Sequence, residues 1–96
     1  MPDASKKYLT RNLNITNKRG LHARAAARFV KCAERFDAEI SVSKDQTTVG
    51  ATSIMGLMML AAGHGSSICV SACGPEAEAA LVELSDLVVG RFGEND

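Results

Sequence analysis

Apolar and polar residues alternate along four short stretches of the chain, and this alternation predicts four β-strands. The first strand covers residues 8–16 and has Leu9, Leu13 and Ile15 on one face. The other strands are predicted over residues 39–44, 47–50 and 67–73, with a turn at Asp45 and Gln46 that makes a hairpin of the middle two. Because each strand is apolar on one face only, we expect a sheet that is covered on a single side.

Three other stretches repeat apolar residues every three or four positions, which is typical of helices that are buried on one side. They cover about residues 23–36, residues 54–61 and a segment that starts at the turn of residues 74–76 and ends near Gly90. The two ends of the chain, residues 1–7 and 91–96, are mostly polar, and we expect them to be loose tails.

The order strand, helix, strand, strand, helix, strand, helix (βαββαβα) predicts an α/β fold of the α+β kind. We expect an open-faced β-sandwich, with a four-stranded and mostly antiparallel sheet covered on one face by three helices. The 96 residues are enough for one domain, residues 1–96, with a single modest core.

Composition excludes several classes of function. Eleven acidic and eleven basic residues balance, and aromatic residues make up only 4% of the chain, so nothing favours nucleic acid or a charged membrane surface as a partner. No apolar run is long enough to span a membrane, and no signal peptide is visible. The odd number of cysteines, three, indicates free thiols and a cytoplasmic protein, and their spacing with the histidines does not favour a metal site. We therefore expect neither a metal nor a cofactor.

The most informative stretch is Gly20-Leu21-His22-Ala23-Arg24, which is followed by three alanines. This pattern places His22 at the start of a helix, where backbone N–H groups lack internal partners and bind anions. Lys18, Arg19 and Arg24 add positive charge, which favours the neutral, nucleophilic imidazole. Phosphoryl uptake by His22 is the chemistry that this arrangement favours, although a lone histidine near a helix start is more often a surface residue or a cap.

The second informative stretch is the helix after Ser53, which is apolar on nearly all sides. Leu57 and Leu60 suffice for its inward stripe. Exposed apolar surface that is rich in methionine usually marks a contact with another protein, so the remaining residues are predicted to bind partners. They are Ile54, Met55, Met58 and Met59. A fully buried helix is the alternative. Ser53 itself is the expected N-cap.

Taken together, the motifs Gly20-Leu21-His22-Ala23-Arg24 and Ser53-Ile54-Met55-Gly56 resemble those of the HPr family, the histidine-containing phosphocarriers of the phosphoenolpyruvate-dependent phosphotransferase system (PTS). The likeness extends from about Leu9 to Val88, with the family's spacing between the motifs and the family's order of elements. One position departs from it: the family usually has proline where this chain has Ala25. That difference and the sparse polar surface of the second helix point to a specialised branch, such as the nitrogen-related carriers called NPr.

The resemblance implies a covalent carrier that is not itself an enzyme. His22 would be phosphorylated on Nδ1 by phospho-Enzyme I and would pass the phosphoryl group to a histidine of an EIIA-type protein. Arg24 would help to neutralise the phosphoryl charge, and Ile54, Met55, Met58 and Met59 would dock both partners. Ser53 matches the serine that an HPr serine kinase/phosphorylase modifies in part of the family. We expect a monomer.

Two other functions are compatible with the sequence. One is a non-catalytic regulatory module that binds partners through the helix around residues 54–59 and carries no phosphate. The other is a thiol redox protein using Cys69 or Cys73, which the absence of a Cys-x-x-Cys motif makes the weaker hypothesis.

Overall fold

A computed structural model describes residues 7–94 of the chain. Its strands and helices follow the order expected from the sequence, with one additional turn of 3₁₀-helix near the C-terminus. The strands are β1 (Leu9–Asn14), β2 (Glu39–Lys44), β3 (Thr47–Gly50) and β4 (Ser67–Cys73). The helices are α1 (Ala23–Glu34), α2 (Ile54–Met59) and α3 (Ala77–Val89), and the 3₁₀ turn is Arg91–Gly93.

The four strands form one antiparallel sheet in the order β1-β4-β2-β3. Leu13 pairs with Ile68 across β1 and β4, while Val42 pairs with Val70 across β2 and β4. These apolar side chains are buried under the helices. The opposite face carries small polar residues such as Ser41 and Ser71, as an uncovered sheet face requires. The predicted open-faced sandwich with three helices on one side is thereby confirmed.

Helix α1 contributes six buried residues to the core. The helical spacing predicts an inward stripe of Ala26, Phe29, Val30 and Ala33, and all four are buried, together with Ala25 and Cys32. Phe29 is completely enclosed and is one of the two largest enclosed side chains of the described chain, the other being Phe92. Among residues 7–94, no helix has the length and apolar character needed to cross a membrane.

Helix α2 is shorter than the sequence predicts, because it ends at Met59 instead of residue 61. Ala61 has a left-handed backbone with φ of 53°, which stops the helix. The following residue, Ala62, accepts a hydrogen bond from the backbone of Leu21 at 2.9 Å. This hydrogen bond joins the segment after α2 to the loop before α1.

The expectation of a loose C-terminal tail is wrong for residues 91–94. Arg91, Phe92 and Gly93 all have left-handed backbones, with φ of 57°, 55° and 79°, and this sharp turn folds the chain back. Phe92 is buried in the core, and its carbonyl oxygen accepts a hydrogen bond from Arg28. Burial of Phe92 contributes about 1.5–3 kcal/mol, which is comparable to the strain of the two left-handed non-glycine residues in this turn. Residues 1–6, 95 and 96, which the sequence also assigns to loose tails, lie outside the described residues.

Candidate functional site

The loop between β1 and α1 holds His22 in place. Gly20 has φ of 68°, and a Cβ atom there would lie 2.7 Å from the carbonyl oxygen of Ala62 and from the Cα of Gly63. Only glycine combines this left-handed backbone with so close an approach. The loop is further fixed by the burial of Leu21 and by its hydrogen bond to Ala62.

His22 is the N-cap residue of α1, as the sequence predicts. Its backbone is extended, with ψ of −179°, and its carbonyl oxygen accepts the first helical hydrogen bond from Ala26 at 2.8 Å. The N–H groups of the three preceding helical residues, 23–25, therefore have no acceptor within the helix. The His22 side chain does not cap them. Ala25 is completely buried, so an anion beside His22 would meet the N–H groups of residues 23 and 24 and the positive end of a twelve-residue helix.

A carboxylate that the sequence patterns did not predict lies against the imidazole. The Nε2 atom of His22 is 2.5 Å from Oε2 of Glu94, a residue of the folded C-terminal segment. Both side chains are mostly covered, with 20% of His22 and 13% of Glu94 exposed. This contact joins opposite ends of the chain.

Asn17 holds the other side of that carboxylate. This residue is completely buried, and its Nδ2 group donates to Oε1 of Glu94 at 3.0 Å and to the carbonyl oxygen of Gly20 at 2.8 Å. The same amide thus ties the glycine turn before His22 to the carboxylate beside it. Within residues 7–94 the Oδ1 atom of Asn17 has no partner, so the side chain acts in this site only as a donor.

The pKa of the Glu94 carboxyl is lowered from its usual value. The hydrogen bond with His22 is the largest cause; burial opposes it, and the Asn17 hydrogen bond and the charges of His22 and Arg19 lower the pKa further. An ionised carboxylate can only accept hydrogen bonds. The proton in the His22–Glu94 contact therefore belongs to Nε2, so that in the neutral form of the ring the lone pair lies on Nδ1.

Two other predicted site residues, Arg24 and Met58, lie near His22 in the fold. Arg24 lies in the first turn of α1, where its side chain is exposed and makes no hydrogen bond or ion pair to any residue in the range 7–94. Met58 lines a shallow depression of about 250 Å³ together with His22, Arg19 and Leu21. The depression makes the surface of α2 continuous with the edge of the imidazole.

The expected exposure of the apolar residues of α2 is confirmed. Leu57 and Leu60 are buried, whereas Met55 and Met59 are 73% and 74% exposed. Ile54 and Met58 are exposed to 40% and 44%. A binding role for these four side chains stays a prediction.

Ser53 is the N-cap of α2, as expected, and its Oγ accepts a hydrogen bond from the backbone of Gly56 at 2.9 Å. It lies at the start of the helix that carries the exposed methionines. A phosphoryl group on Ser53 would thus stand at the border of that apolar surface, and its modification remains a prediction.

Comparison with known proteins identifies relatives over nearly the whole chain. The family model described as "PTS HPr component phosphorylation site" matches residues 9–89. The phosphocarrier protein HPr of Cupriavidus necator is 43% identical over 88 residues, which are 92% of this chain and 99% of the relative. The phosphocarrier protein NPr of Shewanella violacea is 42% identical over 86 residues, 90% of this chain and 94% of the relative.

Solved structures show the same fold. The crystal structure of HPr-C-His from Thermoanaerobacter tengcongensis has a TM-score of 0.85 and 44% identity, and the match covers 94% of this chain and 99% of that one. A second crystal structure, described as an HPr dimer from the same organism, has a TM-score of 0.73 and 46% identity, with coverage of 85% and 94%.

Proposed function

Because this chain belongs to the HPr family of phosphocarrier proteins of the phosphotransferase system, we propose that it carries the phosphoryl group on Nδ1 of His22. The donor is phospho-Enzyme I, and the acceptor is a histidine of an EIIA-type protein. One observation carries the assignment to this nitrogen: Nε2 is engaged by Glu94 at 2.5 Å, so Nδ1 is the ring nitrogen that holds the free electron pair.

In the transfer, the lone pair of Nδ1 attacks the phosphorus atom of the donor phosphohistidine. The P–N bond of the donor breaks, and its electron pair returns to the donor's imidazole. Negative charge spreads over the phosphoryl oxygens during this step, and preorganised donors stabilise it. The free N–H groups of residues 23 and 24 are such donors, and the exposed guanidinium of Arg24 adds charge from the same turn.

The partners dock on the apolar surface of α2 in this proposal. Met58 lines the depression beside His22, and Ile54, Met55 and Met59 extend the surface away from it. A partner that covers these side chains brings its own histidine to the exposed edge of the imidazole. The protein acts as a cytoplasmic carrier in a monomeric state, and an HPr serine kinase/phosphorylase acting on Ser53 would place negative charge at the margin of this surface.

The test is phosphorylation with Enzyme I and phosphoenolpyruvate, followed by detection of an acid-labile adduct. We expect one phosphoryl group per chain in the wild type and none in His22→Ala. The chain has a second histidine, the exposed His64, and His64→Ala is the matched control that should be labelled like the wild type. Labelling of His22→Ala would refute the assignment.

The competing function is a regulatory module that binds partners through α2 without carrying phosphate. Partner affinities that do not change when His22 is phosphorylated, together with absent transfer, would favour it. Sequence identity does not separate the sugar branch from the nitrogen branch, since HPr and NPr relatives are 43% and 42% identical to the chain. Transfer rates to EIIA proteins of each kind distinguish the two.

A further inference from the structure

The C-terminal segment is built so that Glu94 faces His22. Phe92 anchors the segment in the core, Arg28 of α1 binds its carbonyl oxygen, and the backbone N–H of Glu94 donates to the carbonyl of Arg91 at 2.9 Å. A glutamate at the end of a polar tail would ordinarily be solvated. Here its backbone is fixed by three separate contacts, so the position of its carboxylate is a property of the fold.

The carboxylate is also fixed at both of its oxygen atoms. Oε2 contacts Nε2 of His22, and Oε1 accepts from the buried amide of Asn17. A carboxylate that is held at two points cannot rotate away without leaving one of the two N–H bonds of the buried Asn17 amide unpaired, since the other donates to Gly20, and an unpaired buried donor costs about 1–3 kcal/mol. The arrangement therefore constrains the imidazole as well as the carboxylate.

We propose that Glu94 is a positioning residue for the phosphoryl chemistry of His22, which it controls by holding the ring proton on Nε2 before and after the phosphoryl group arrives. The inference rests on the proposed carrier function. Before transfer, the proton on Nε2 leaves the electron pair on Nδ1. After transfer, the same carboxylate keeps Nε2 protonated on a ring whose Nδ1 now carries the phosphoryl group.

The second half of this role determines how easily the phosphoryl group leaves. When the acceptor's nitrogen or a water oxygen attacks the phosphorus atom, the P–N bond breaks and its electron pair returns to the His22 ring. If Nε2 keeps its proton, the ring leaves as neutral imidazole. If Nε2 has lost it, the ring must leave as an imidazolide anion, which is a far poorer leaving group. By keeping Nε2 protonated, Glu94 thus favours transfer of the phosphoryl group from His22 to the acceptor.

Other charges near His22 and Glu94 limit how strongly Glu94 can change the rate at which the phosphoryl group leaves. Arg19 of the preceding loop acts on Glu94, Arg24 lies in the first turn of α1, and Arg28 holds the tail. The phosphoryl group would add negative charge on the other side of the ring, and solvent reaches part of the site. Since a charge-assisted hydrogen bond is about twice as strong as a neutral one and partial exposure screens it, we expect rate effects of about three- to tenfold.

The test compares Glu94→Gln, which removes the charge while keeping the shape, and Glu94→Ala, which removes the acceptor. Glu34→Gln is the matched control, because Glu34 is exposed on α1 and does not touch the site. Each protein carries the His64→Ala substitution, so that His22 is its one histidine, and is phosphorylated chemically with phosphoramidate, so that Enzyme I is not needed. The decay of the phosphohistidine is then followed by phosphorus NMR at pH 5 and at pH 8.

At pH 8 we expect decay of the two Glu94 variants to be about three- to tenfold slower than that of the wild type and the control. At pH 5 protons from solvent are far more abundant and the ring depends less on Glu94 for its proton, so the decay rates of the variants should differ less than they do at pH 8. Equal decay at pH 8, or faster decay in Glu94→Gln, would overturn the inference.

A second readout needs no phosphate. Nitrogen NMR of the unphosphorylated wild type, recorded where the ring is neutral, should show the proton on Nε2, and the population of that tautomer should fall in Glu94→Ala. A proton on Nδ1 in the wild type would also overturn the role of Glu94. If instead His22 is never labelled by Enzyme I while these measurements come out as expected, the carrier function fails and the positioning of the ring proton stands.

Discussion

The Nδ2 atom of Asn17 lies 3.0 Å from Oε1 of Glu94, a residue 77 positions further along the chain. The same amide donates to Gly20 at 2.8 Å, so that one buried side chain connects the loop before α1 to the C-terminal segment. Both acceptors belong to elements that adjoin His22. Asn17 therefore stabilises the two segments that hold His22, and because it is completely buried it cannot contact a partner itself.

Replacement of Asn17 by alanine should destabilise the protein. It leaves the Gly20 carbonyl and one Glu94 oxygen without their donor, and we expect a loss of about 1–3 kcal/mol in the free energy of unfolding. Urea denaturation at neutral pH measures it. Asn12→Ala, on the exposed face of β1, is the control and should change stability by less than about 0.5 kcal/mol. If both variants unfold at the same urea concentration, the Asn17 contacts do not stabilise the fold.

The lowered pKa of Glu94 predicts a contribution to stability that depends on pH. A carboxyl group whose pKa is lower in the folded state stabilises the protein above its unfolded pKa of about 4.3. This stabilisation is lost as the pH falls through the folded value. The wild type should therefore be more stable than Glu94→Gln at pH 7, and the difference should shrink as the pH is lowered from 5 toward 3.

Urea denaturation of both proteins across this range measures the effect. Glu34→Gln serves as the control, since its carboxylate is exposed on α1 and away from His22. If the difference between wild type and Glu94→Gln stays constant from pH 7 to pH 3, the stabilisation does not come from the ionised carboxylate of Glu94.

The sequence was sufficient to predict the elements of the fold and the position of His22, because both depend on local patterns. The alternation of apolar residues sets the strand faces, and the glycine before His22 together with the alanines after it fixes the helix start. The apolar excess on α2 was visible for the same reason. Each of these features needs only residues that are close together in the chain.

Glu94 could not be found in that way, since its role depends on a chain reversal made by residues 90–93. The polar composition of the tail suggested solvent exposure, and composition was misleading because one apolar side chain was enough to anchor the segment. Phe92, the one apolar residue between Gly90 and Gly93, was the available signal. The shortened end of α2 was missed for a related reason: the left-handed backbone of Ala61, which stops the helix, leaves no mark on the local pattern of apolar residues.

Two substitutions of Ser53 separate its capping role from the effect of charge. Ser53→Ala removes the acceptor for the Gly56 N–H and should cost about 1 kcal/mol of stability without blocking phosphoryl transfer. Ser53→Asp keeps a capping oxygen and adds a negative charge beside the apolar surface. It should retain near wild-type stability while slowing transfer from Enzyme I. Thermal unfolding measures the loss of stability, and initial rates measure the transfer from Enzyme I. If Ser53→Asp were the less stable variant and Ser53→Ala the slower in transfer, neither the capping role of Ser53 nor the effect of charge at this position would hold.

The exposed methionines of α2 provide the sharpest test of the docking surface. Met55 and Met59 are largely exposed, so Met55→Lys and Met59→Lys should change the free energy of unfolding by less than about 0.5 kcal/mol. If a partner covers these positions, binding would bury the charged lysine without a counter-charge and would lower the affinity for the partner. We expect the KM for the protein as substrate of Enzyme I to rise by about tenfold, equivalent to about 1.4 kcal/mol, with a smaller change in kcat.

Val82→Lys is the matched control for these substitutions, because Val82 is an equally apolar, 50% exposed residue on the outer face of α3. It should leave both KM and kcat unchanged if the partner covers α2 alone. An equal rise in KM for Val82→Lys and Met55→Lys would show that the added charge acts at a distance, without a local contact. Unchanged KM values in both methionine variants would place the docking surface elsewhere, since a lysine buried without a partner cannot be accommodated at no cost.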